Sequence, residues 1–204
     1  MDWSQDYVVH DNLFTTEEIK ENWESCRKAD WIHGWYSSDG HKEDESSPPF
    51  WHVHLGGSDT ERTDCTVMLP TWVQSVWSKL NDHNKGMKLL RVYLNGHTAG
   101  QPGGIHVDGW TPDQYTFIYY ANPDMKPEDA GELILWTPNL NEEQRMISFD
   151  TPYAMQLHPE ILRTVWPRAG RVLMFDARIP HVARGLNSNS KKLRVSLVFK
   201  ATKI

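Results

Sequence analysis

Cys26 and Cys65 are the only cysteines in 204 residues. A disulfide framework or a structural zinc site needs more of them, in closer spacing, so neither is expected. No run approaches the ~18 apolar residues of a membrane-spanning helix. Met1-Asp2-Trp3-Ser4-Gln5-Asp6 is acidic and contains no apolar signal core. These absences lead us to expect a soluble protein of the reducing cytoplasm with no membrane partner. Positive charge is also scarce. The formal net charge is −6; residues 1–86 carry 7 Lys/Arg against 16 Asp/Glu, and residues 87–204 carry 14 against 11. Neither part has a dense basic stripe, which argues against a nucleic-acid partner. The acidic first part points towards a neutral or cationic substrate. Internal repeats and low-complexity tracts are missing too.

Aromatics, by contrast, are abundant: ten Trp, seven Tyr and six Phe. A buried Trp needs a partner for its ring N–H, so some of these rings should line a cleft. The length suits one domain, 1–204. Thr15-Thr16-Glu17-Glu18 opens like a capped helix that ends near Ala29, with Ile19, Trp23 and Cys26 at helical spacing. Residues 37–50 mix Ser, Pro and charges and predict an exposed loop. A second helix is expected at 70–82, with Pro70 in its first turn and Trp72, Val73, Val76, Trp77 and Leu80 as its apolar stripe. From Met87 the texture turns strand-like, at 88–94, 104–108, 115–121, 131–136, 171–175, 180–184 and 192–200. Residues 138–165 suggest two short strands and a loop. The expected class is α+β, mainly β: a barrel or jelly roll over 87–204, with 1–86 as a helical and loop support packed on its outside.

The chemistry concentrates in His106-Val107-Asp108, His181 and Arg194. Two histidines and one carboxylate leave three positions open on a non-haem Fe(II), the arrangement that activates O2. On a strand, residues two apart share a face, so His106 and Asp108 would point the same way. Gly103-Gly104 lets the backbone just before them approach a neighbour closely. The strand-like Gly170–Asp176 segment ends shortly before Pro180-His181. Arg194 and Ser196 lie on one face of the otherwise apolar run Leu193–Phe199, where a buried cation calls for an anionic partner.

Residues 87–200 resemble the catalytic core of the Fe(II)/2-oxoglutarate-dependent dioxygenases, in particular the prolyl-4-hydroxylase-like branch. The matching segments are Arg91–Gly96, His106–Asp108, Thr116–Asn122, Gly131–Trp136, Pro167–Phe175, Pro180-His181 and Arg194–Ser196. The resemblance implies a double-stranded β-helix, the cupin-like jelly-roll barrel of that family. It implies Fe(II) on His106, Asp108 and His181, and 2-oxoglutarate and O2 as cosubstrates. The far carboxylate of 2-oxoglutarate would meet Arg194, with Tyr120 and Tyr93 as further cosubstrate contacts and Ser196 assisting. Trp110 and Trp136 are candidate substrate contacts. The implied reaction is hydroxylation of an unactivated C–H in a peptidyl substrate, prolyl included, or in a free amino-acid-like one, with release of succinate and CO2. Asp108 argues against the halogenating relatives, where a small residue replaces the carboxylate, so hydroxylation is favoured over halogenation while desaturation and ring formation stay open.

Two other readings compete. A barrel of this shape can bind a metal or ligand without turnover. His52-Val53-His54 is a second same-face pair of the kind cupin metal sites use, although Ser58 stands where such a site wants a Glu. His41-Lys42-Glu43 has triad-like spacing but falls in the expected loop. Asp176 reads as a turn cap.

Overall fold

Thr15 caps the first helix as its sequence suggests. Its hydroxyl accepts from the Glu18 N–H at 3.2 Å, and the Glu18 carboxylate accepts from the Thr15 N–H at 2.8 Å. The reciprocal pair satisfies two donors that a helix start leaves open. The computed structural model describes residues 5–43, 47–58, 60, 63–84, 86–140 and 157–204. In chain order the elements are β1 (Tyr7–His10), α1 (Thr16–Arg27), β2 (Ile32–Trp35), α2 (Asp39–Glu43), β3 (Phe50–Gly57), α3 (Thr71–Asn84), β4 (Met87–His97), β5 (Gln114–Tyr120), β6 (Leu133–Pro138), β7 (Leu157–Val165), β8 (Val172–Asp176), β9 (His181–Ala183) and β10 (Arg194–Lys203).

The strands form two antiparallel sheets. The larger has the order β1-β8-β5-β10-β4-β3-β2, the smaller β7-β6-β9. Alternation along β10 explains what each face of the large sheet does. Val195, Leu197 and Phe199 face outwards into a core with α1 and α3, where Trp77 stands against Phe199 and Phe117 at 5.7 and 5.6 Å. Val73, Val76, Trp77 and Leu80 are the buried stripe of α3. Val198 faces inwards, where Ile118, Leu173 and Phe175 of the large sheet meet Leu133, Leu135 and Val165 of the small one. The helices thus lie outside the sheets, as expected. No described helix is long and apolar enough to cross a membrane.

Three expectations need correction. Residues 1–86 are more than helices and loops, because β1, β2 and β3 extend the large sheet on both sides. Their signal is weak for a physical reason: β1 and β2 are four-residue edge strands, and every side chain of β2 is exposed, so no burial period marks it. Residues 104–108 form no strand; only an isolated bridge joins His106 to His181. The loop expected at 37–50 contains α2 and the start of β3. For the unsettled stretch 138–165, β7 accounts for its end, and residues 141–156 lie outside the described ones.

Candidate active site

His106 and His181 are held side by side by their own backbones. The His106 N–H donates to the His181 carbonyl at 3.1 Å, and the His181 N–H returns the bond at 2.9 Å. This reciprocal pair does the positioning expected of a strand at 104–108. The two rings lie 4.3 Å apart. Each Nδ1 is within hydrogen-bonding distance of a carbonyl oxygen, Gly104 at 2.9 Å for His106 and Ile179 at 3.0 Å for His181. A carbonyl only accepts, so each Nδ1 carries the proton and each Nε2 presents a lone pair. Asp108 completes the group: its backbone N–H donates to Ala177 O at 2.8 Å. His106 Nε2 is 3.6 Å from Asp108 Oδ1, and His181 Nε2 is 3.4 Å from Oδ2. All three ligand atoms lie within 4.8 Å of one another, and no other group of His, Cys, Asp and Glu gathers this way among the described residues.

The protonation states suit a cation. Burial, then the neighbouring His181, holds the His106 pKa down to about 3, so its lone pair is available at neutral pH. Burial alone would raise the Asp108 pKa. Lys200, both histidines and the Thr116 hydroxyl outweigh it, and the carboxyl lies well below its usual range. Thr116 donates to Asp108 Oδ2 at 2.7 Å, and Lys200 Nζ lies 3.4 Å from Oδ1. The two are cross-strand partners in β5 and β10, so one register places both against the same carboxylate.

Arg194 opens β10 opposite His97 of β4. It is 1% exposed, and no carboxylate pairs with it among the described residues. Its stem runs over Gly131 (φ +90°), where a Cβ would come within 3.1 Å of Arg194 Cδ. The guanidinium stands 5.3 Å from the Tyr120 ring centre. By distance and angle, neither Arg194 Nε nor the buried Tyr120 hydroxyl has a hydrogen-bond partner among the described residues. Burial raises the Tyr120 pKa against the pull of Arg194. Buried donors of this kind mark a place for an anion.

A cavity of about 960 Å³ joins these groups. His106, Asp108, His181, Arg194, Ser196, Tyr93 and Trp110 all line it, while Tyr120 and Trp136 are not part of the lining. Trp136 instead ties its backbone N–H to Pro180 O at 2.8 Å, next to His181. The presumed surface loop supplies a wall through Ser37, Asp39 and Lys42. Ser37 Oγ accepts from the Gly104 N–H at 3.0 Å, and a Cβ on Gly104 would lie 2.4 Å from the His41 ring. That contact is the close approach Gly103-Gly104 allows. Among the described residues the lining's charged side chains are Asp39 and Asp108 with Lys42, Arg91, Arg194 and Lys200.

The rival histidines do other work. His52 stacks on Trp35 at 4.1 Å and bonds through Nδ1 to Asn95 Oδ1 at 2.9 Å; burial holds its pKa down to about 4. His54 is exposed. Asp176 does cap a turn, accepting from the Arg178 N–H at 2.9 Å, and it also grips the Arg178 guanidinium at 3.0 and 2.7 Å. That turn carries Ala177 O and Ile179 O, which hold Asp108 and His181. Thr116, His97, Lys200 and the Asp176–Arg178 pair were missed from sequence. Only Lys200 left a signal there, continuing the inward alternation of Arg194, Ser196 and Val198.

No family model matches the sequence, and no curated protein matches it either. Solved structures do. An oxidoreductase of the 2OG-Fe(II) oxygenase family from Burkholderia pseudomallei aligns over 97% of this chain and 85% of its own, at 14% identity and TM-score 0.65. A prolyl hydroxylase from Trichoplax adhaerens, in complex with a hypoxia inducible factor peptide, aligns over 97% and 84%, at 16% and 0.58. HygX from Streptomyces hygroscopicus, with nickel, 2-oxoglutarate and hygromycin B bound, aligns over 97% and 83%, at 13% and 0.58. At such identities the likeness is one of architecture: this chain has the fold of the 2-oxoglutarate/Fe(II) oxygenases.

Proposed function

We propose that this protein is an Fe(II)- and 2-oxoglutarate-dependent dioxygenase, a single domain whose two sheets are the halves of a double-stranded β-helix. One observation carries the reading. A buried guanidinium with no carboxylate partner among the described residues shares a cavity with two imidazole lone pairs and a carboxylate gathered within 4.8 Å. That donor set suits a ferrous ion with positions left open. The orphaned Arg194 Nε and Tyr120 hydroxyl suit an anion's far end. The residues present therefore fit both groups.

In this reading His106, Asp108 and His181 hold the metal. Gly104 O and Ile179 O fix the two tautomers, and Thr116 fixes the rotation of the Asp108 carboxylate. Arg194 would receive the far carboxylate of 2-oxoglutarate, a task its planar fork of donors suits better than a lysine does. Ser196 and Tyr93, which line the cavity, would assist, and the Tyr120 ring beside Arg194 would contribute its hydroxyl if the anion reaches that far. When bound, the metal and cosubstrate supply the oxidising power: O2 and 2-oxoglutarate become succinate and CO2 while one substrate C–H becomes C–OH. Trp110 and the α2 wall narrow access and limit water around the reacting carbon. The substrate is peptidyl, prolyl included, or amino-acid-like.

Anaerobic titration of the protein with Fe(II) and 2-oxoglutarate tests this. A weak visible charge-transfer band is expected, followed by succinate release when O2 is admitted. No band and no succinate from protein that binds Fe(II) would refute it.

A further inference from the structure

We infer that the substrate is a free, zwitterionic amino acid, its α-ammonium received by Asp39 and its α-carboxylate by Lys42, both on α2. The inference rests on the oxygenase reading and deepens it, choosing the amino acid over the peptide. α2 is a fixed part of the cavity wall. Ser37 Oγ accepts from the Gly104 N–H, the His41 ring stands against Gly104, and Ser38 Oγ bonds to His41 Nδ1 at 2.8 Å. Gly104 lies two residues before His106, so α2 is tied to the segment that carries two of the metal ligands. From that position Asp39 and Lys42 line the cavity, and both are exposed.

The other charges of the lining are already engaged. Lys200 pairs with Asp108 at 3.4 Å. Arg91 stands over the rings of Tyr93 and Trp35, at 4.9 and 5.9 Å from their centres. Arg194 belongs to the cosubstrate in this reading. Asp39 and Lys42, by contrast, have no ion pair or hydrogen bond among the described residues. They stand three apart on one helix, where Cβ atoms are about 5–6 Å from each other and opposite charges can pair. Here they do not pair, and each offers its charge to the cavity separately. An α-amino acid matches both. Its ammonium and carboxylate sit on one carbon, so a single small molecule can meet two heads that close together. Its side chain is then left to extend into the cavity that holds His106, Asp108 and His181, and the oxidised carbon belongs to that side chain. An internal peptide segment has neither charge and leaves both heads unmatched; a dicarboxylate or a diamine matches only one.

The test uses the full chain loaded with Ni(II) in place of iron, plus 2-oxoglutarate, so that nothing turns over. Loading is measured first, by calorimetry, in wild type, Asp39→Asn, Lys42→Met and the charge-keeping Asp39→Glu and Lys42→Arg. A wild type that binds Ni(II) but no 2-oxoglutarate overturns the oxygenase reading, and this inference with it. The common L-amino acids are then offered to the loaded protein, each in four forms: free, N-acetylated, as the carboxamide, and capped at both ends. At least one free amino acid should bind. Each single cap should weaken it about fivefold, the upper end for a part-exposed ion pair, and added salt should narrow the gap. The variants assign the ends. Asp39→Asn should erase the penalty of N-acetylation and keep that of the carboxamide. Lys42→Met should do the reverse, and the charge-keeping variants should behave as wild type. A role for α2 in folding alone would move all four forms together. The inference is overturned if no free amino acid binds the loaded wild type, if the doubly capped form binds as well as the free one, or if either neutral variant leaves the preference at its own end intact.

Discussion

Arg194→Met should stabilise the empty protein and abolish its response to 2-oxoglutarate. Arg194 is 1% exposed and has no carboxylate partner among the described residues. Holding a charge in that position costs several kcal/mol in lost hydration. Methionine keeps most of the stem that passes over Gly131 and removes the charge. Replacing buried charge by a well-packed apolar group raises stability by about 1–4 kcal/mol, and each kcal/mol moves the midpoint of a domain this size by about 2–4 °C. The ligand response should change the opposite way. With Ni(II) present, 2-oxoglutarate at a hundred times its Kd stabilises a binding-competent fold by about 2.7 kcal/mol. The variant loses two charge-assisted hydrogen bonds, each worth about 1.5–3 kcal/mol, so that increment should vanish. Differential scanning calorimetry with and without ligand measures both effects. A variant that melts lower when empty and still gains stability from 2-oxoglutarate would refute the reasoning.

Other expectations follow from the same geometry. Thr116→Val removes the hydroxyl on Asp108 Oδ2 and should weaken Ni(II) binding by about 10–100-fold with the fold intact, as calorimetry would show. Asp176→Asn takes away the carboxylate that grips buried Arg178 and should lower unfolding free energy by about 3–5 kcal/mol in urea titration. Gly104→Ala sets a methyl against the His41 ring, so the ring or α2 must give way, and limited proteolysis near residues 37–43 should accelerate. His97 is buried, and burial, then Arg194, holds its pKa down to about 3 from 6.5. Below pH ~6.5 the unfolded chain takes a proton there and the folded chain does not. Its contribution to stability is complete above that pH and should fall by about 1.4 kcal/mol per pH unit on acidification. His97→Gln should flatten the pH dependence of urea unfolding by that amount between pH 6 and 4.

The candidate site was legible in the sequence where chemistry depends on residue type: few side chains can serve a metal or a buried anion, and His106, Asp108, His181 and Arg194 line one cavity. The route to that meeting was not readable. A strand was the natural reason for His106 and Asp108 to share a face, whereas the backbone exchange with His181 does the work. Thr116 looks like any strand threonine until its register opposite Lys200 is known. Long-range pairing also hid β1 and β2, whose short, exposed edges carry no period. Bulk charge could not show what lines the cavity, because its described wall joins Arg91 and Lys200 of the sheet to Asp39 and Lys42 from the first part of the chain.

The most direct measurement is a crystal structure of the protein grown with Mn(II) and 2-oxoglutarate, with the ion located by its anomalous scattering. One peak is expected, bonded to His106 Nε2, His181 Nε2 and an Asp108 oxygen, with the ligand's far carboxylate forked on Arg194. An ion held at His52, or a 2-oxoglutarate whose far end turns away from Arg194, would contradict it.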